Sequence, residues 1–92
     1  MAAVTVRIPS LLAQMGDGRT SIPVEAESVS GALDALFGVF PQLRVHVFDE
    51  SGAVRRHVAI FHNGRNSRTS AALAGAVAPG DVVTVLQSVS GG

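Results

Sequence analysis

The stretch 27-ESVSGALDALFGVFP-41 decides the architecture, because it is the one segment whose apolar spacing fits a long helix. Val29, Leu33, Leu36 and Phe40 recur at i, i+4, i+7 and i+11, which places them on a single face of a 3.6-residue period. Ser28 precedes the run and its hydroxyl suits an N-cap, where it accepts a bond from an orphan first-turn N–H. Pro41 stops propagation at the other end. Gly31 and Gly38 each cost about 1 kcal/mol relative to alanine in a helix interior. Packing must therefore supply the stability, and both glycines are expected to let the helix approach a sheet closely.

Outward from the helix, strands are expected. In 4-VTVRI-8, Val4, Val6 and Ile8 alternate with Thr5 and Arg7, the period of a half-buried strand, and Pro9 ends it. Gly16 and Gly18 of GDG permit positive φ, after which Ile22 and Val24 alternate with polar residues. These two segments predict a hairpin with a long loop. The run 43-LRVHVF-48 fits a short strand or a helical turn equally. Past the turn-like DESGA, Val58 and Ile60 share one face and Ala59 and Phe61 the other, and Asn63-Gly64 closes what reads as a central strand. SAALAGAV gives a short helical turn, Pro79-Gly80-Asp81 a tight turn, and 82-VVTVL-86 a last strand. The order strand, strand, helix, strand, short turn, strand predicts an α+β domain with one main helix packed across a mixed sheet. A ferredoxin-like alternative needs a second full helix, for which residues 71–78 are too few.

Composition limits the function. The 92 residues suffice for one core, and 47% hydrophobic against 15% charged residues predicts that the chain folds. Seven basic and seven acidic residues balance, so the basic footprint of a nucleic-acid binder is missing. No apolar run approaches the roughly 20 residues of a membrane span, and the start MAAVTVRIPSLL lacks a convincing signal-peptide cleavage pattern, so no membrane association and a cytoplasmic location are expected. Without cysteine there is no disulfide frame and no catalytic thiol. All seven basic residues are arginine, so the chain cannot receive an isopeptide bond on a lysine.

The sequence closes on 88-SVSGG-92, leaving the last strand directly. One reading is a frayed end. The other uses the chemistry of glycine: without Cβ, Gly91 and Gly92 thread a channel closed to other residues. The α-carboxylate, with an ordinary pKa of about 3.3 to 3.7, is ionised and able to attack the α-phosphate of ATP in a partner's site.

At these residues the chain resembles the ThiS/MoaD-type sulfur carrier proteins, ubiquitin-like β-grasp proteins of thiamin, molybdopterin and cysteine biosynthesis. The resemblance runs through VTVRIPSLL, SVSGALDALFGVFP, HVAIFHNG and PGDVVTVLQSVSGG, and only the last is specific. Length, the Arg-rich approach to HVAIF and VRIPSLL look closest to carriers serving cysteine-synthase-like enzymes, with the molybdopterin synthase small subunit next and thiamin carriers, usually shorter, third, so the resemblance implies sulfur for cysteine, molybdopterin or another sulfur-containing metabolite. The resemblance implies a β-grasp domain over residues 1–87 and a tail over 88–92. It implies that Gly92 is adenylated by an adenylyltransferase resembling ubiquitin-activating enzymes, converted to a thiocarboxylate with sulfur from a sulfurtransferase or sulfide source, and used by a sulfur-accepting biosynthetic enzyme. Gly91 is then the neck. The chain would be a co-substrate, not an enzyme, with no bound cofactor and with ATP belonging to the partner. Gln87 stands where many relatives carry proline, so no ring stiffens the exit of the tail.

Alternation in the last strand puts Val83 and Val85 on one face and Leu86 on the other. Phe61 and Leu86, with Val89 of the tail, form the expected partner-binding patch; scattered surface apolar residues are the ordinary alternative. Arg55, Arg56, Arg65 and Arg68 bracket the third strand and read either as solvated charge or as a steering patch. His57 and His62 lie five apart on opposite strand faces, and with His46 they make no metal site. Asp17, Asp49 and Glu50 read as solvated turn residues. Two further readings stand beside the carrier: a ubiquitin-like modifier joined through Gly92 to lysines elsewhere, and an interaction domain with an inert tail.

Overall fold

The computed structural model describes residues 1–67 and 69–87. Strands β1 (Ala2–Arg7), β2 (Ser21–Ala26), β3 (Val58–His62), β4 (Arg65–Asn66) and β5 (Val82–Gln87) form one sheet in the order β2-β1-β5-β3-β4. β1 and β2 make the expected hairpin, with Val4 opposite Val24. β5 runs parallel to β1, with Thr5 beside Val82, and antiparallel to β3, with Ile60 opposite Val85. The sheet is therefore mixed. Its middle strand is β5, not β3 as expected, because the chain returns after β4 to fill the gap beside β1. The two-residue β4 escaped the sequence reading; Asn63 (φ 52°) and Gly64 (φ 86°) form the two-residue positive-φ hairpin turn that pairs it with β3.

Helix α2 (Val29–Val39) crosses one face of this sheet. Ser28 caps it as expected, accepting from the Gly31 N–H at 3.0 Å. Pro41 forces Phe40 out of the helical region to φ −128°, ψ 78°, the restriction that any residue before proline feels. Val29, Leu33 and Leu36 are fully buried and Phe40 is half-buried against the core. From the sheet they meet Val4, Val6, Ile22, Val58, Ile60, Val83 and Val85, all on the expected inner face. Of the two glycines, Gly31 alone approaches the sheet: an added Cβ there would lie 3.6 Å from Ala26 Cβ, whereas nothing stands within 4 Å of Gly38.

Three short helical turns complete the layer: α1 (Ser10–Ala13), α3 (Arg44–Val47), preceded by a 3-10 turn over Pro41–Leu43, and α4 (Ser70–Leu73). The open segment is thus helical through Val47, and Phe48 is extended and bridged to Val54. A strand would have put Val45 and Val47 on one face, but Val45 is 61% exposed while Leu43 and Val47, four apart, are buried. Phe48 then makes a T-shaped contact with Phe37, ring centroids 5.8 Å apart, with the Arg44 guanidinium over the Phe48 ring at 5.6 Å. No helix is long and apolar enough to cross a membrane among the described residues.

Candidate functional site

The sequence directs attention to the end of β5. Gly91, Gly92 and Val89 lie outside the described residues, as does Arg68; Gln87, the last described residue, is in register with Val58 of β3. Strand alternation sends Val83 and Val85 into the core and leaves Leu86 47% exposed on the opposite face. Ala59 stands directly across from Leu86, and Phe61 across from Thr84, so Phe61 and Leu86 are diagonal neighbours of the kind that long side chains bridge. The sheet thus brings the two expected patch residues together. They line a groove of about 400 Å³ with Arg56, His57, Val58, Ala59, Asn66 and Gln87. It is largely apolar, has a cationic rim, and contains no carboxylate among these residues. Gln87 Oε1 is buried there and has no hydrogen-bond partner among the described residues.

The expected arginine cluster divides. Arg55 is turned back, its Nε donating to the Val45 carbonyl; Arg56 is exposed and lines the groove, while Arg65 is exposed opposite His62, away from it. The histidines also separate: His46 sits on α3, His57 is exposed before β3, and His62 is engaged at the far end of the sheet. No group of three His, Asp or Glu side chains able to hold a metal occurs among the described residues.

That engagement of His62 was not read from the sequence. His62 Nε2 lies 2.7 Å from Asp81 Oδ2, which also accepts the Ala78 N–H at 2.9 Å. Next to it Asn63 grips Val82 twice, donating its N–H to the Val82 carbonyl and accepting the Val82 N–H on Oδ1 at 2.8 Å. The Ala78 N–H foremost, then His62, hold the Asp81 carboxyl down to a pKa of about 2. The Thr5 N–H donates to the Asp81 carbonyl, so this node fixes the start of β5 between β1 and β3. The available signal was the pair of turns HNG and PGD, which the antiparallel register of β3 and β5 brings side by side. Asp17 and Asp49 are turn residues as expected, paired with Arg19 and Ser51.

A mixed sheet with parallel β1 and β5 in its middle and one helix across a single face define a ubiquitin-like β-grasp protein. Within that class the chain belongs to the ThiS family, whose model matches residues 8–92. The Mycobacterium tuberculosis sulfur carrier protein CysO is 33% identical over 91 residues, covering 97% of this chain and 98% of CysO. The Haloferax volcanii small archaeal modifier protein 1 is 37% identical over 83 residues, 88% of this chain and 91% of the relative. A chain of the Amycolatopsis orientalis BexX/CysO crystal structure superimposes with a TM-score of 0.85 at 28% identity, covering 98% and 100% of the two chains.

Proposed function

We propose that this chain is a sulfur carrier whose reacting group is the carboxylate of Gly92. The observation that carries the reading is the family match continuing through Gly92 behind a strand whose root, Gln87, opens onto the groove of Phe61 and Leu86. A carboxylate oxygen attacks the α-phosphate of ATP bound by an adenylyltransferase; pyrophosphate leaves and an acyl adenylate forms. Sulfide then adds to the acyl carbon, the bond to AMP breaks, and a terminal thiocarboxylate remains for transfer to a biosynthetic enzyme. Gly91 and Gly92 pass the partner's channel because neither presents a Cβ. The groove docks the partner, with Phe61 and Leu86 as apolar anchors and Val89 continuing the patch along the tail. ATP belongs to the partner, the chain itself supplies no catalytic group, and the reaction belongs in the ATP-containing cytoplasm. Likeness to CysO favours cysteine biosynthesis as the destination of the sulfur.

The test is intact-mass spectrometry after incubation with a candidate adenylyltransferase, ATP and sulfide. The expected result is an ATP-dependent mass gain equal to exchange of one oxygen for sulfur, localised to Gly92. An unchanged mass with every enzyme shown to be active on its own carrier would remove the proposal. The likeness to the archaeal modifier supports a second reading, conjugation of Gly92 to amines of other proteins, which the same experiment separates as an isopeptide-linked adduct.

A further inference from the structure

The chemistry proposed for Gly92 creates a hazard that this chain is built to avoid. An activated acyl group at the end of a tail reacts with any amine or thiol that it can reach, and its own domain is always within reach at high effective concentration. The five residues 88–92 span at most about 18 Å from Gln87. Among the described cations near that root, Arg55 is turned back to the Val45 carbonyl; the other two are Arg56, which lines the groove, and Arg7, level with Thr84 of β5. Both are exposed, and a guanidinium stays protonated and is a poor nucleophile where a lysine amine is a good one. The whole chain has neither lysine nor cysteine. His57 also lies at the groove, but an acyl-imidazole passes its acyl group to water and regenerates the acid.

In a chain of these 92 residues the Met1 amine is also present, and the topology sets it apart. Because β1 runs parallel to β5 with Thr5 level with Val82, Met1 lies four residues before that level and Gln87 five residues beyond it. At about 3.3 Å per residue the two are roughly 30 Å apart, outside the reach of the tail. We infer that the amine-free, thiol-free surface around the root of β5, together with the parallel placement of Met1 at the opposite end, protects the activated carboxyl from self-acylation, so that it reacts only with nucleophiles brought by other molecules. The inference rests on Gly92 being the activated group. In the reaction avoided, a lysine Nζ would bond to the Gly92 acyl carbon, AMP would leave, and the nitrogen would lose a proton to solvent.

The experiment needs no activating enzyme, which keeps its outcome apart from that of the carrier proposal. Thiolysis of an intein fusion gives the full chain with Gly92 as a mercaptoethanesulfonate thioester, held at mildly alkaline pH and followed by intact mass. Wild type is expected to yield only the hydrolysed acid. Arg56→Lys and Arg7→Lys keep the charge and are expected to yield a monomeric product lighter than that acid by one water, with the new isopeptide mapped to the introduced lysine. Glu25→Lys carries the same amine at the level of Ala3, beyond the tail, and is expected to hydrolyse like wild type. Near-root variants that only hydrolyse, a wild type that cyclises onto Met1, or a cyclised Glu25→Lys monomer would each overturn the inference. Matched far-ultraviolet circular dichroism spectra establish that the variants are folded.

Discussion

Two glycines of one helix are expected to answer the same substitution oppositely. At Gly38 an added Cβ meets nothing within 4 Å and the backbone is helical, so Gly38→Ala should raise unfolding free energy by about 0.5–1 kcal/mol. At Gly31 that Cβ would come 3.1 Å from Ser28 Oγ, the oxygen that caps the helix. Gly31→Ala should therefore lose this gain and show no net stabilisation in urea melts of the same set. Composition could not separate the two; the N-cap geometry does. Asp81 makes a second case. Its folded pKa, about 2, lies below the ordinary 3.8, so its bonds to Ala78 and His62 stabilise the fold fully above the ordinary value and are lost as pH falls through about 2. Wild type should melt above Asp81→Asn near neutral pH and converge with it toward that acid limit; a gap unchanged across the titration would show that the charge contributes nothing. The carboxylate was legible as a turn residue, but its partner, 19 positions away, became visible only through the register of β3 and β5.

At the scale of elements, periodicity carried far where one face is buried and failed where an element is too short to show a period. α2, the β1–β2 hairpin and the faces of β5 were legible because apolar residues alternate or recur over several turns. The two-residue β4 has no period to read, and 43–48 supports either period until the burial of Leu43 and Val47 selects a helical turn. Register also explains Pro23. The Ile8 N–H donates to the Thr20 carbonyl, so the even-numbered residues of β2 bond to β1 and the odd-numbered ones, Pro23 among them, turn toward the open edge. There a proline removes the N–H that a foreign strand would need. Pro23→Thr restores that donor on an exposed edge and is expected to increase concentration-dependent association in sedimentation velocity. An unchanged sedimentation profile over the accessible concentration range would mean that the edge is protected by something other than the proline.

Across the molecule, one face of the sheet is covered by α2 and its flanking turns, while the other carries Ala59, Phe61, Thr84 and Leu86 with no element laid over it among the described residues. The proposed docking groove therefore falls on the face opposite the core, a separation of stability from recognition that two substitutions test together. Leu36 is fully buried against the sheet; Leu36→Ala removes its packing and leaves a cavity, costing about 2–5 kcal/mol. Against a total of roughly 5–15 kcal/mol for a small domain, that loss should be plain in a denaturant midpoint. Leu36→Ala should nevertheless be activated with an unchanged KM below its melting transition, since the outer face is intact. Leu86 is half exposed, and Leu86→Asp places a charge in water beside Arg56, so its melting temperature should stay close to wild type. Its KM as a substrate of the adenylyltransferase should rise, because the apolar anchor is lost and the partner surface must desolvate a carboxylate. Phe61→Asp, on the diagonal, should behave alike. If Leu86→Asp instead unfolds the domain while Leu36→Ala weakens activation, the roles of the two faces are reversed, and the groove beside Gln87 belongs to the core rather than to a docking site.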